Sequence, residues 1–324
     1  MNTLKKIWAA LGIVALIAVA APVQAQDAPY PKKGNIEITV LFPAGSSADI
    51  TARLLAQGMA KYLNANVITV NRPGAAGAIG YKYVVGQKPD GYSLVWNSNS
   101  ISTAYHSGQM SFDYHSFDPV ARVLVEPPLL VVRADGKWKT LKDLIADAKR
   151  YPGKMTVANS GTGSHTHIAA VALFRAAHVD VIHVPYGATQ VVPNVLGGYV
   201  DAMVQLPGAV AGHIQAGKLR VLAILTEKRD PTMPDAPTAK EQGYDVAMEA
   251  WRGIAVPKGT PKPVIAMLEA AIRKTAESPA FIASSEKLYV HPAFMPAAEF
   301  GAQIAKEDVE MANILKLVGL KKSP

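Results

Sequence analysis

The sequence of 324 residues contains no cysteine. Disulfide bonds, thiolate metal sites, iron–sulfur clusters and cysteine nucleophiles are therefore excluded. Beyond the N-terminal segment the chain also lacks an apolar run of about 18 residues, so we expect no membrane-spanning helix in the body of the protein. Charged residues make up only 18% of the chain and hydrophobic residues 49%. This composition is typical of a globular protein with its own apolar core.

The net charge of +8 is spread thinly along the chain. The densest basic runs do not alternate with aromatic side chains, so the sequence does not predict a nucleic-acid-binding surface. A mildly basic surface favours small anions over small cations through its weak long-range field. We therefore expect a small-molecule partner and no nucleic acid.

Residues 1–25 have the pattern of a secretion signal. Lys5 and Lys6 form a basic region, residues 7–21 are apolar, and Val23 and Ala25 are small residues at the positions that signal peptidase reads. We expect cleavage after Ala25. An uncleaved anchor is the alternative, but the proline and the polar residues after the apolar stretch favour cleavage.

Strands and helices alternate along the rest of the chain. The β-branched run Ile36 to Phe42 predicts a strand, and a glycine-containing turn and a helix with apolar residues at helical spacing follow it. The same unit recurs from residue 67 and again, four times, from residue 155. The alternation favours an α/β fold with mainly parallel sheets flanked by helices. It predicts two similar halves and a helical tail, without showing whether the halves are consecutive or interleaved.

Two turns are candidate ligand loops. Residues 43–49 and 160–167 are rich in small and hydroxyl-bearing side chains, and each leads into a predicted helix. Ligands of open α/β sheets bind at the carboxyl ends of the strands, where helix N-termini direct free N–H groups outward. The two turns therefore predict an anion-binding site.

Each of these residues also has a simpler interpretation. Ser46, Ser47 and Ser164 can be N-caps, a role compatible with ligand binding. Asp49 is expected to hold the amides of its own turn, since its charge repels an anion. For His167, the pattern leaves open whether it binds a carboxylate or caps its helix.

Catalytic and metal-binding motifs are weak. The run Gly161-Thr162-Gly163-Ser164-His165 lacks the glycine that follows the serine of a nucleophile elbow, and the glycines of residues 74–80 do not have dinucleotide-binding spacing. His165 and His167 are two positions apart, and no nearby pair of carboxylates completes a metal site. We therefore expect no metal and no cofactor. A secreted serine hydrolase that uses Ser164 and His167 remains the enzymatic alternative.

A series of motifs resembles the Bug (Bordetella uptake gene) proteins, which are also called the TctC-type substrate-binding proteins of tripartite tricarboxylate transporters. The resemblance covers essentially the whole chain after residue 25. The motifs are 41–53 (LFPAGSSADITAR), 71–77 (NRPGAAG), 89–94 (PDGYSL), 161–167 (GTGSHTH), 184–187 (VPYG), 196–201 (LGGYVD), 216–220 (AGKLR), and 251–253 (WRG) with 257–261 (PKGTP).

The resemblance implies a two-domain periplasmic binding protein, a type II-like Venus-flytrap clamp whose α/β domains are joined by crossing hinge strands. We expect the crossings near Glu126 and Glu249. The expected segments are residues 1–25 as the signal peptide, 26–126 plus 250–324 as domain 1, and 127–249 as domain 2.

The resemblance also implies the binding residues. Two loops would hold one carboxylate of the ligand through backbone amides, hydroxyls and ordered waters, and more variable positions would contact its other end. The residues of the first loop are Phe42, Ala44, Gly45, Ser46, Ser47 and Asp49, and those of the second are Gly161, Gly163, Ser164 and His167. The positions expected at the other end are Asn99, Ala188, Gln205 and, as a further candidate, Arg252.

Two departures from the family pattern bear on the ligand. Gly45-Ser46 stands where a glycine pair is usual, after Ala44 where proline is common, and Gly187 stands where a lysine often follows the Pro-Tyr pair. The loss of this lysine disfavours a tricarboxylate, so we expect a mono- or dicarboxylate, including aromatic acids. The predicted protein is a monomeric receptor, not an enzyme, that delivers its ligand to the membrane subunits of a tripartite tricarboxylate transporter. A receptor for a membrane sensor is the alternative.

Overall fold

The computed structural model describes residues 30–31, 34–317 and 319–320. The predicted signal peptide, residues 1–25, and its cleavage site lie outside the described residues.

The strands are β1 (Asn35–Val40), β2 (Asn66–Asn71), β3 (Ser93–Ser98), β4 (Phe117–Glu126), β5 (Leu129–Arg133), β6 (Thr156–Asn159), β7 (Ile182–Pro185), β8 (Ala202–Gln205), β9 (Leu219–Ile224), β10 (Ala250–Pro257) and β11 (His291–Pro296). The helices are α1 (Ser47–Leu63), α2 (Ala78–Val85), α3 (Ser100–His106), α4 (Leu141–Arg150), α5 (His165–Ala176), α6 (Ala188–Leu196), α7 (Pro207–Gln215), α8 (Lys262–Ala276), α9 (Pro279–Lys287) and α10 (Ala297–Leu317).

The strands form two sheets. One sheet has the order β11-β4-β10-β3-β1-β2, and the other has the order β7-β6-β8-β5-β9. We call the first sheet with its helices the first lobe and the second sheet with its helices the second lobe. The predicted two-part α/β architecture with flanking helices is confirmed. Within the described part of the chain, no helix is both long and apolar enough to cross a membrane.

The expectation of mainly parallel sheets was wrong. Among the described strands, three of the five pairings in the first sheet are antiparallel, as are two of the four in the second. The physical reason is the path of the chain. The chain leaves the first sheet through β4 and returns to it through β10, so these neighbouring strands run in opposite directions.

The chain passes between the lobes in two adjacent segments. Strand β4 ends at Glu126, and β5 begins two residues later at Leu129 after Pro127-Pro128. The return path enters β10 at Ala250, which pairs with Glu126 in antiparallel register. The outgoing and returning segments therefore lie side by side at the base of the cleft between the lobes.

The last helix, α10, packs against both lobes. Phe300 and Ile304 are buried in an apolar cluster of the first lobe. Met311 and Leu315, further along the same helix, are buried in the main apolar core of the second lobe. Helix α10 therefore connects the two lobes at a place distinct from the crossing segments.

Candidate functional site

A cavity lies between the two lobes, beside the crossing segments. The first lobe contributes wall residues that include Phe42, Ser46, Ser47, Ala48, Asn99 and Arg252. The second lobe contributes Ser160, Ser164, His165, Thr166, Gln205 and Leu206. The cavity volume is about 30 Å³, room for about two water molecules. The two walls therefore lie close together in this structure.

Two helix N-termini meet at this cavity from opposite lobes. Ser46 caps α1, its hydroxyl accepting a hydrogen bond from the Asp49 amide at 3.3 Å. Ser164 caps α5 in the same way, accepting from the His167 amide at 3.2 Å. Ser46 and Ser164 are thus N-caps, as the simpler interpretation predicted, and both also line the cavity. For Ser47 that interpretation was wrong, because Ser47 is the first residue of α1 and its hydroxyl bonds Glu126.

The caps leave other amides of the two helix starts unpaired. The first amides of a helix have no acceptor within the helix, and those that follow the capping serines make no other hydrogen bond in the described part of the chain. They belong to cavity-wall residues, namely Ser47 and Ala48 on α1 and His165 and Thr166 on α5. A helix N-terminus also favours a negative group electrostatically. The cavity therefore presents donors and a positive field suited to an anion.

Asp49 holds the first loop in shape. Its Oδ2 accepts from the Gly45 amide at 2.9 Å, and its Oδ1 accepts from Asn71 Nδ2 at 2.9 Å and lies 2.8 Å from Arg53. Burial acts to raise the pKa of Asp49, but these hydrogen bonds and the charge of Arg53 hold it below its usual value. Asp49 thus binds an amide of its own turn, which confirms that part of the prediction.

A buried ion pair lies beside the first helix. Arg252 Nε donates to Glu126 Oε2 at 2.7 Å, and the Ser47 hydroxyl donates to Glu126 Oε1. Arg252 is 3% exposed and Glu126 is fully buried. Arg252 lines the cavity whereas Glu126 lies behind it, and the Phe42 ring is 5.7 Å from the guanidinium carbon.

The guanidinium of Arg252 has a free edge. Within the described residues its hydrogen bond to the protein uses Nε alone. The two terminal nitrogens are the donors that commonly bind a carboxylate in a fork. Glu126 therefore holds the guanidinium in place while leaving its terminal nitrogens for a group in the cavity.

Two buried histidines of the second lobe are neutral near pH 7. The pKa of His165 is lowered to about 4, chiefly by burial and with a smaller contribution from the charge of Arg252. Burial lowers the pKa of His167 to about 4, with a smaller contribution from His183. His165 Nε2 donates to the Met248 carbonyl at 2.8 Å. The histidines therefore add no positive charge to the site.

Ser164 and His167 are not arranged as a nucleophile and its base. The ring Nδ1 of His167 accepts from the Gly163 amide at 3.1 Å, and the ring packs edge-on against His183. The Ser164 hydroxyl accepts from the backbone amide of His167 and pairs with the Thr166 hydroxyl at 3.1 Å. The geometry expected of a serine hydrolase is a hydrogen bond between the serine hydroxyl and the imidazole, and this pair does not have it.

Two amide side chains line opposite walls of the cavity. Gln205 Oε1 accepts from Ser160 Oγ at 3.1 Å and from the Leu206 amide at 2.9 Å, which fixes the orientation of its amide. Its Nε2 is buried and has no partner in the described chain. Asn99 instead donates to Glu307 at 3.0 Å and accepts from the Trp251 amide at 2.9 Å. Asn99 therefore holds α3, β10 and α10 together, whereas the Nε2 donor of Gln205 is unpaired.

Comparison with known proteins identifies the family. Residues 51–320 match the model of the tripartite tricarboxylate transporter family receptor, TctC. The chain belongs to this family. It is 32% identical to BugT of Bordetella pertussis over 323 residues, which cover 98% of each chain.

Solved structures of similar proteins share the fold. The periplasmic binding protein BugD superimposes with a TM-score of 0.86 at 30% identity, covering 91% of this chain and 100% of that one. MatC from Rhodopseudomonas palustris, solved with bound malate, superimposes with a TM-score of 0.81 at 26% identity, covering 88% of this chain and 100% of that one. The resemblance to the Bug and TctC proteins is confirmed.

The structure brings some of the predicted site residues of this TctC-family chain to the cavity wall and leaves others behind it. Those on the wall are Phe42, Ser46, Ser47, Asn99, Ser164, Gln205 and the further candidate Arg252. Those that lie in the same loops but off the wall are Ala44, Gly45, Asp49, Gly161, Gly163 and His167. Ala188 is the first residue of α6, and its side chain lies outside the description.

Sequence reasoning missed several groups at the site. Glu126 was placed only as a crossing point, and His165 was considered only as a metal ligand. Ser98 and Ser100, which also line the cavity, were not among the predicted residues. One usable signal existed: Glu126 ends an apolar strand, and a carboxylate in such a position needs a buried partner.

Proposed function

We propose that this protein is a periplasmic receptor that binds an organic mono- or dicarboxylate between its two lobes and delivers it to the membrane subunits of a tripartite tricarboxylate transporter. The observation that carries the proposal is the convergence of unpaired donors on one interlobe cavity. These donors are the amides at the starts of α1 and α5 and the free edge of the Arg252 guanidinium.

The proposed binding mode uses both lobes. One carboxylate of the ligand lies between the N-termini of α1 and α5, where it accepts hydrogen bonds from amides of both. Lobes that share one anion are drawn together, so binding and closure of the cleft are coupled. We propose residues 26–126 plus 250–324 and residues 127–249 as the two domains, which hinge at the crossing segments beside Glu126 and Ala250.

The charges at the cavity bear on the class of carboxylate. The positive charge of Arg252 is balanced by Glu126 directly behind it, and His165 is neutral because burial lowers its pKa. A ligand with three carboxylates would bring more negative charge than one paired guanidinium and two helix N-termini can balance. A mono- or dicarboxylate suits this site better, and the malate bound to MatC is an acid of that size.

The remaining parts of the proposal concern the whole receptor. We propose export to the periplasm with cleavage after Ala25 and action as a monomer, without a metal or an organic cofactor. The periplasmic relative BugD and the match to the transporter receptor family support the location and the transporter partner.

Isothermal titration calorimetry tests the binding function. The protein is freed of copurifying ligand by unfolding and refolding, and is titrated with small mono- and dicarboxylates and with the primary amides of the same acids. We expect at least one acid to bind and its amide, which lacks the negative charge, to bind far more weakly. If no acid binds, or if amides bind as well as their acids, the proposal fails.

A matched pair of serine variants tests whether α5 contacts the ligand. Ser164→Ala removes the cap of α5 at the cavity, and Ser278→Ala removes the equivalent cap of α9 away from it. Both should lose about 1 kcal/mol of stability. Only Ser164→Ala should also weaken carboxylate binding, by about 0.5 to 1.5 kcal/mol. If the two variants bind the carboxylate with equal affinity, Ser164 is a structural cap only.

A further inference from the structure

The two ring nitrogens of His165 have different surroundings. Nε2 is 2.8 Å from the backbone carbonyl oxygen of Met248, and since a carbonyl only accepts, Nε2 carries the ring hydrogen. Nδ1 has no hydrogen-bond partner in the described part of the chain, although His165 is only 7% exposed. With the pKa of the ring lowered to about 4 by burial, Nδ1 is an unprotonated acceptor that lacks a donor.

Gln205 provides the complementary group on the same cavity wall. It is 3% exposed, and both Ser160 and Leu206 donate to its Oε1. Its Nε2 is therefore a buried donor that lacks an acceptor. A buried polar atom without a partner costs free energy comparable to a lost hydrogen bond. The second lobe's wall of the cavity thus contains one unsatisfied acceptor and one unsatisfied donor.

We propose that these two atoms recognise a hydroxyl group carried by the ligand close to its carboxylate. Nδ1 of His165 accepts the hydroxyl hydrogen, and Nε2 of Gln205 donates to an oxygen of the same ligand. The inference rests on the proposed carboxylate-binding function and narrows the ligand to a hydroxycarboxylate.

The position of the hydroxyl follows from the position of His165 in the chain. His165 is the first residue of α5, so its backbone amide is one of the unpaired donors proposed for the carboxylate. Its ring belongs to the same residue and lines the same cavity. A ligand that accepts from this amide and donates to this ring therefore carries its hydroxyl on the first or second carbon after the carboxylate.

The surrounding charges favour a hydroxyl over an ammonium group as the donor. Arg252 lines the same cavity as His165, and its positive charge contributes to lowering the pKa of His165. A cationic amine at the same place would be repelled. The carboxylate that could compensate, Glu126, lies behind the wall and is already bonded to Arg252 and Ser47. A neutral hydroxyl donates its hydrogen without this repulsion.

Calorimetric titration of the refolded protein with matched acids tests the inference. One triad is lactate, propionate and 2-methoxypropionate, and a second is malate, succinate and 2-methoxysuccinate. The methoxy acids keep the ether oxygen but lack the donated hydrogen. We expect the hydroxy acid of at least one triad to bind about tenfold or more tighter than both of its analogues, since an acceptor left unpaired in a buried site is penalised.

Variants of the ring identify the acceptor. His165→Met should bring the affinity ratio of hydroxy acid to deoxy acid toward one, and His165→Asn, which keeps an acceptor near the position of Nδ1, should retain part of it. His183→Met is the matched control, because His183 also has a buried Nδ1 without a partner but lies off the cavity wall. This control should keep the wild-type ratio.

The outcomes separate the inference from the function on which it rests. If no carboxylate binds, the proposed function fails and the inference fails with it. If carboxylates bind but wild-type ratios within both triads stay within about threefold of one, only the inference is overturned. A hydroxyl preference that survives in His165→Met also overturns it. The comparison of acids within each triad uses the wild-type protein alone, so it tests the inference even when a variant does not fold.

Discussion

At the scale of single residues, the cavity wall depends on a carboxylate that lies behind it. Glu126 is fully buried, receives hydrogen bonds from Arg252 and Ser47, and lies behind the cavity wall. An uncompensated charge in such a place is costly, so Glu126 and Arg252 depend on each other. The pair positions a cation at the cavity while keeping the net charge there low.

Replacing Glu126 by glutamine tests this dependence. Glu126→Gln leaves the buried guanidinium without its counter-charge, so the ligand-free protein should lose up to about 3 to 5 kcal/mol in the free energy of unfolding. A bound carboxylate would replace the missing charge, so the stabilisation by ligand should exceed that of the wild type. Urea unfolding with and without a bound acid measures both effects.

The control for this experiment is Glu249→Gln. Glu249 lies at the other crossing segment, is exposed, and forms no ion pair within the described residues. The same change of charge there should leave stability within about 0.5 kcal/mol of the wild type. If Glu126→Gln behaves like this control, the buried pair does not have the proposed role.

The buried histidines predict how stability depends on pH. The pKa of His165 and of His167 is lowered by burial to about 4 in the folded protein, against 6.5 in the unfolded chain. Their contribution is fully present above pH 6.5 and is lost as pH falls toward 4, because unfolding then takes up protons. We expect unfolding at pH 5 to take up about one to two protons, and urea unfolding at pH 7 and pH 5 to show the loss.

Other titratable groups do not reverse this loss of stability at low pH. The pKa of His291 is raised, chiefly by its hydrogen bond to Asp230, so its contribution to stability grows by less than one proton's linkage as pH falls from 7 through 6.5 and is constant well below 6.5. The pKa of Glu249 is also raised, chiefly because neighbouring groups partly shield its exposed carboxyl from water, which opposes the trend by at most one proton. Histidine resonances followed by NMR assign the effect, and midpoints near 6.5 for both His165 and His167 would contradict it.

At the scale of elements, glycines are placed where the two lobes touch. Gly208, in the first turn of α7, faces Ser47 at the start of α1, and a Cβ there would lie 2.5 Å from the Ser47 hydroxyl and 3.2 Å from its Cα. Ser47 cannot move aside easily because its hydroxyl is bonded to Glu126. Helix α7 can approach α1 this closely because residue 208 has no side chain.

A pair of glycine variants on one helix tests whether this contact sets closure. Gly208→Ala should hold the lobes apart and weaken ligand binding roughly tenfold or more, since overpacking typically costs 1 to 3 kcal/mol. Gly212→Ala, one turn later, meets nothing within 4 Å and should bind normally. Gly212→Ala also gains helix propensity, so it should not lose stability. Small-angle X-ray scattering with ligand should show a larger radius of gyration only for Gly208→Ala.

The elements also show what sequence patterns can and cannot predict. Helix α1, with its serine cap and regular apolar spacing, was predicted from its residues, whereas β4, α3 and β11 were not. Strand β4 contains Pro119 and charged residues, and β11 contains proline at two positions. Proline is tolerated in β11 because it is an edge strand, paired on one side only. Such strands form because of their neighbours in the sheet, and local patterns do not report those neighbours.

The same limit applies to the site. The two loops at the starts of α1 and α5 could be predicted because each is a continuous turn of small and hydroxyl-bearing residues. Glu126 and Arg252 are more than a hundred positions apart, and His165 is bonded to a carbonyl 83 residues away. Their meeting depends on how the chain crosses between the lobes, and spacing along the sequence carries no information about it.

At the scale of the whole molecule, α10 makes the second lobe depend on the end of the chain. Leu315 is fully buried in the second lobe's core, whereas Leu317, two residues later, is 72% exposed. Leu315→Ala should lower the free energy of unfolding by about 2 to 5 kcal/mol, and Leu317→Ala should change it by less than about 0.5 kcal/mol. Urea unfolding measures both variants. Equal stabilities would mean that α10 does not support the second lobe.

The junction of β10, α3 and α10 has a spectroscopic consequence. The indole Nε1 of Trp251 donates to Glu307 at 2.6 Å, and Asn99 joins the same carboxylate to the Trp251 backbone. Glu307 lies on α10, which packs against both lobes, so we expect a relative movement of the lobes to change the polarity around the indole. We therefore expect the emission of this tryptophan to change when a ligand is captured, which stopped-flow fluorescence can follow without any attached dye.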